Sequence, residues 1–169
     1  GGTNIDTGLP QLTPLKAPAG SAVINPLTTL LDAYIKVHSG SISITDASES
    51  IAASFGLVLP FGTNFTTYNP LAGTTSASEH AQEIAAQIAT LVNLASGSNS
   101  TVADAVFQKL ATTVNGSNID LSNAATITTL LTGVSNADTT AITRIAENNL
   151  SIHNASNLDE ISAIQAGLG

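Results

Sequence analysis

"SASEHAQEIAAQIATLVNLAS", residues 76–96, decides the fold class. Ala81, Ile84, Ala85, Ile88, Leu91, Val92 and Ala95 recur at three- and four-residue steps, the spacing that lines up side chains on one face of an α-helix. Glu79 falls in the first turn, where a carboxylate complements the positive end of the helix dipole. With no Pro or Gly inside it and "GSNS" immediately after, the stretch predicts one long amphipathic helix with a sharp stop.

The same period appears on both sides. In "INPLTTLLDAY" (24–34), Leu27, Leu30, Leu31 and Tyr34, with Ile35 just beyond, form an apolar stripe. Asn25 is placed to cap this helix and Pro26 sits at its first position, where a missing N–H is harmless. "HSG" at 38–40 stops it. "ITDASESIAASFGL" (44–57) predicts a second helix, capped by Thr45, with Ala47, Ile51, Ala52 and Phe55 on one face, ending at Gly56 and pairing with the first. Beyond residue 96, helices are expected over 101–114 (Val102, Val106, Leu110, Val114) and 122–134 (Ile127, Leu130, Leu131, Val134). Two more are expected over 137–153 (Ile142, Ile145, Ala146, Ile152) and 157–168 (Leu158, Ile161, Ile164, Leu168). Ser100, Ser122, Asn136 and Asn157 are their expected caps. Six to seven amphipathic helices with short Gly, Ser and Asn loops make an all-α bundle or array.

Two segments lack the helical period. Residues 1–23, with three of the six prolines, read as an extended N-terminal arm or short strands ahead of a single helical domain spanning 24–169. Residues 57–75, "LVLPFGTNFTTYNPLAGTT", predict an ordered loop packed by its own rings. Phe61, Phe65 and Tyr68 are there the candidate lining of a ligand pocket for a glycan or an apolar ligand. The expectation we favour is that these rings plug the end of the bundle.

Composition narrows the function. Leu, Ile, Val and Phe make up 45 of 169 residues, enough to fold, and the length fits one domain with its own core. Only 9% of residues are charged, against about 25% in a typical domain. Polarity comes instead from 54 Ser, Thr and Asn side chains. The net charge of -8 repels phosphate, so no nucleic-acid partner is expected, and no apolar run is long enough for membrane insertion. Zero cysteines exclude disulfides, thiolate-bound zinc and a thiol nucleophile. A start without Met reads as a module excised from a longer chain.

Reactive residues are few. His38, His80 and His153 sit in no recognisable catalytic frame, and no nucleophile elbow, phosphate-binding loop or zinc-protease motif is present. His80 and Glu83 share a helix face at i, i+3, the spacing of carboxylate-bridged metal bundles, but the second E-x-x-H element such sites need is missing. An enzyme would require a cleft holding His80 or His153 beside a carboxylate. Residues 1–9 match the calcium nonapeptide at Gly1, Gly2 and Asp6 but depart at Asn4 and Gly8, and a single copy cannot stack. No cofactor is expected; a surface calcium held by Asp32 or Asp46 with loop carbonyls is the one exception left open. Thr28 and Thr29 are expected to satisfy backbone groups in a helix first turn, and Asp32 to face solvent.

"GGTNIDTGLPQLTPLKAPAGSAVINPLTTLL" (1–31) resembles a segment of very large secreted bacterial surface proteins, adhesin-like and often exported with RTX-type calcium repeats. "FGLVLPFGTNFTTYNPLAG" (55–73) and "LDEISAIQAGL" (158–168) resemble parts of the same module. The resemblance implies a helical module in a long extracellular, cell-surface chain, following a β-sandwich domain whose last strand would be residues 3–9. It transfers no catalytic residue. The expected function is therefore non-enzymatic: spacing, presentation or self-association. The expected partners are other domains of the same chain, a second copy, or a cell-surface glycan or protein.

Overall fold

The computed structural model describes residues 14–167, and among them all regular structure is helical. Seven α-helices follow in order: α1 Pro26–Val37, α2 Ile44–Phe55, α3 Ser76–Ser96, α4 Ser100–Thr113, α5 Ala124–Leu131, α6 Ile142–His153 and α7 Leu158–Ala166. The nonapeptide-like start, the strand expected at 3–9 and Leu168 lie outside the described residues. None of these helices is long and apolar enough to cross a membrane.

Local chemistry sets most of the boundaries. Asn25 caps α1, its Oδ1 accepting the Thr28 N–H while the Thr28 hydroxyl takes the Asn25 N–H in return, a capping box worth about 1 kcal/mol. Thr75 and Ser78 do the same for α3. Gly56 ends α2 at φ 65, a left-handed cap that a side chain resists. Asn157 caps α7 as expected, accepting from the Glu160 N–H.

Four expected caps are corrected. Ser43 caps α2 in place of Thr45: it is extended and reaches the Asp46 N–H, so Ile44 and Thr45 are already helical. Asn99 and Asn123 cap α4 and α5 in place of the serines that follow or precede them, each amide oxygen reaching two backbone N–H groups. Asn136 takes φ 62 in a turn, and α6 is entered through a 3-10 turn at Thr139–Ala141 capped by Asp138. The Asp138 N–H donates to the Ala95 carbonyl at 2.8 Å, pinning that turn to the end of α3. Helix α5 is correspondingly shorter than 122–134.

Helix α3 is the hub, packing on α1, α4, α6 and α7, while α1 also meets α2 and α4. The predicted stripes go inward: Leu27, Leu30, Leu31, Ile51, Ile88, Leu91, Leu110, Ile127 and Leu130 are at most 1% exposed. One large core joins α1–α6. A second, small core of Ala86, Ile152 and Ile161 holds α7 and the end of α6 against the outer face of α3.

The 57–75 loop is ordered by one ring and by polar ties. Phe65 is 1% exposed and belongs to the main core, with Tyr68 partly buried beside it. The Phe65 N–H donates to Ser48 Oγ, Gln82 Nε2 to the Pro70 carbonyl, and the Ala22 N–H to the Thr66 carbonyl at 2.8 Å. A Cβ on Gly73 would lie 2.7 Å from Ser78 Cβ and Oγ, inside the α3 capping box, so this position needs glycine for space.

Candidate functional site

The described part of the arm is built into the body. Thr29 Oγ1 accepts the Lys16 N–H at 2.9 Å and lies 3.0 Å from the Lys16 carbonyl, with the Asn25 carbonyl at 2.9 Å as a second acceptor for its single proton. Thr28 Oγ1 approaches the same Lys16 carbonyl at 3.3 Å. The Lys16 ammonium reaches across to Asp104 on α4, with Nζ 2.6 Å and 2.7 Å from the two carboxylate oxygens. Both threonines are buried, at 0% and 2% exposure, so the expected first-turn role holds and extends further: the hydroxyls also satisfy the backbone of a crossing segment.

The aromatic residues of the 57–75 loop differ in burial. Phe61 is fully exposed, Phe65 is core, and Tyr68 lies between, its phenol pushed above its usual range by burial. None of them lines either of the two recesses described next. Asp32, expected to face solvent, has a side chain only 17% exposed and is held by Lys36 at 2.6 Å, one helical turn on. Asp46 sits in the first turn of α2.

The first recess, of about 170 Å³, lies between α3 and the α6–α7 corner, with Glu79, His80 and Glu83 on one side and Ile152, Leu158 and Ile161 on the other. His80 lines it, and His153 reaches the same Glu83 carboxylate, so two of the three histidines meet around one carboxylate. Glu83 Oε2 lies 3.1 Å from His80 Nδ1 and Oε1 lies 2.7 Å from His153 Nδ1. The other His80 nitrogen, Nε2, faces the Phe55 carbonyl at the end of α2, 3.2 Å away. Sequence spacing foresaw His80 with Glu83; it carried no signal for His153, which arrives from seventy residues away. Among the described residues no group of three or more His, Asp or Glu side chains is placed to hold a metal ion. Histidine beside carboxylate is what an enzyme reading would require, and the groups that face the two rings here are the Glu83 carboxylate and the Phe55 carbonyl. The second recess is an open groove of about 570 Å³ between α4 and the turn at 133–136, with Lys109 its single titratable group.

Two buried amides also escaped the sequence reading. Asn149 Nδ2 donates to the Leu121 carbonyl at 2.8 Å and lies 3.3 Å from the Gln87 carbonyl. Gln87 Nε2 donates back to the Asn149 carbonyl at 3.0 Å. Together they fasten α6 to α3 and to the loop before α5. No protein-family model, no curated protein and no solved structure matches the chain.

Proposed function

We propose that this domain is a non-enzymatic structural module of a secreted bacterial cell-surface protein, one that holds the preceding chain in a fixed position against a helical body. The observation that carries this reading is the seating of Lys16: its backbone is taken up by Thr28 and Thr29 of α1 and its ammonium by Asp104 of α4. A chain that enters a domain through side-chain hydrogen bonds to its own backbone is oriented, whereas a flexible linker leaves its backbone to water. Parts of two of the segments behind the resemblance to adhesin-like modules are also neighbours in space. "LKAPAGS" (15–21) lies on "NPLTT" through Lys16, and Ala22, the residue after it, bonds Thr66 in the 57–75 loop. The surface, rich in Ser, Thr and Asn and poor in Lys and Arg, suits an extracellular spacer.

Pulling on the full 169-residue chain from both ends in a force measurement tests the role. The expected result is that the arm and α1 come away in the same event as the body, and that Thr29→Val adds an earlier, weaker event. Release of the arm at negligible force in the unaltered chain would remove the basis of the proposal, as would turnover of any substrate that one polar substitution abolishes. The alternative, a ligand-binding module using the 57–75 loop, is separated by a thermal-shift screen with glycans and apolar ligands, where a raised melting temperature would favour it.

A further inference from the structure

We infer that the His80–Glu83–His153 cluster is a proton-operated latch that fastens α7 and the end of α6 to α3 and loosens when the rings give up their protons. Both nitrogens of His80 face groups that can only accept: a carboxylate oxygen at Nδ1 and the Phe55 carbonyl at Nε2. A neutral imidazole has one N–H and satisfies one of them; the imidazolium has two and satisfies both. His153 is the last residue of α6, where the carbonyl end of the helix favours a positive ring, and it meets Glu83 at 2.7 Å.

The charged surroundings point the same way. Glu83 is only 14% exposed and draws its partners from the two rings and, at 3.5 Å, from Gln87 Nε2. Glu79 lines the same recess from α3, and α7 opens with Asp159 and Glu160, the latter accepting the Ser156 N–H. On α6, Arg144 and Glu147 stand nine and six residues before His153; on α2, Asp46 and Glu49 stand nine and six before Phe55, about 13 Å and 9 Å along each axis. No Lys or Arg lines the recess, and His80 is the one lining side chain able to carry positive charge.

A carboxylate–imidazolium hydrogen bond is roughly twice as strong as its neutral counterpart. The latch therefore holds where the rings carry a proton and weakens where they lose it. What it holds is the part of the molecule with the least core beneath it, the three buried residues Ala86, Ile152 and Ile161.

Thermal unfolding of the full chain at about pH 5.5 and about pH 8, with Glu83→Gln, His153→Asn and, as control, His38→Asn, tests the latch. Asparagine keeps a donor near Nδ1 and removes the charge. Acid also relieves the repulsion of a chain carrying -8, so the readout is the gap between wild type and variant at each pH. The gap for Glu83→Gln and for His153→Asn is expected to be wider at the lower pH by about 2–4 °C, and that for His38→Asn, at the C-cap of α1 beside a carbonyl and not a carboxylate, to widen less. Equal gaps at the two pH values, or wider ones at the higher pH, overturn the inference. Should Glu83→Gln fail to fold, His153→Asn, at a ring 58% exposed, carries the comparison alone. Hydrogen exchange gives a local check: protection of α7 relative to α4 should fall severalfold between the two pH values in the wild type and stay level in His153→Asn. A parallel fall in both helices would also overturn it.

Discussion

Thr29 Oγ1 and the backbone of Lys16 hold one another at both ends of a single residue, the N–H at 2.9 Å and the carbonyl at 3.0 Å. The chain from Lys16 to Thr29, thirteen positions apart, is closed into a loop by the hydroxyl of a residue 2% exposed. Removing that hydroxyl without changing shape leaves the Lys16 N–H without its acceptor and the Lys16 carbonyl with only the 3.3 Å approach of Thr28 Oγ1, at a cost of about 1–3 kcal/mol.

Thr29→Val is therefore expected to destabilise the domain by about that amount and to expose the Lys16–Ala17 bond. Trypsin reads the second effect directly, because the chain has only four Lys and Arg and cleavage after residue 16 yields a distinct fragment. Asp104→Asn should matter less: the Lys16–Asp104 side chains are 40% and 43% exposed, and pairs of that kind contribute at most about 1 kcal/mol. Faster cleavage in Asp104→Asn than in Thr29→Val would show that the ion pair, and not the backbone clamp, seats the arm.

Phe65 and Phe61 should separate sharply. Phe65→Ala empties a buried ring site and is expected to cost about 3–5 kcal/mol in chemical denaturation. Phe61→Ser, at a fully exposed ring, should change stability by less than about 0.5 kcal/mol. A large loss from Phe61→Ser would mean that its ring covers something the monomer leaves open.

Gly73→Ala is expected to destabilise by about 1–3 kcal/mol although the added group is a single methyl. The new Cβ meets Ser78 at 2.7 Å, and Ser78 cannot retreat without opening the Thr75–Ser78 capping box of α3. Gly116→Ala, at φ 81 with open space around its Cβ position, provides the comparison for strain without collision. Circular dichroism melts of both variants distinguish the two effects.

The Asp138 carboxyl is held below its usual range, first by the Thr140 hydroxyl at 2.6 Å and then by the Thr140 N–H at 3.0 Å. A carboxyl with a lowered folded value stabilises the fold at and above the ordinary carboxylate range and ceases to do so as the pH falls through the lowered value. The melting temperatures of wild type and Asp138→Asn should differ slightly at neutral pH, because the group is exposed, and converge in strong acid. A gap that persists in strong acid would assign the effect to the amide's geometry and not to charge.

The sequence by itself determined where the helices lie and which faces they bury, because both follow from contacts three or four residues apart. The stripe of α3, the Asn25–Pro26 start of α1, the Gly56 stop and the Asn157 cap are all local facts, and they hold. Caps failed where two competent side chains stand within two residues, as at Ser43 and Thr45, since the choice depends on how the preceding loop arrives. Only the tertiary structure decided what meets across long separations: Lys16 with Asp104, Asn149 with Gln87, His153 with Glu83. These pairings follow from the way α4 and α6 dock on α1 and α3, a geometry fixed by closing the whole core. A polar residue whose partner lies sixty or more positions away leaves no periodic trace in its neighbours, so its role appears only once the helices are packed.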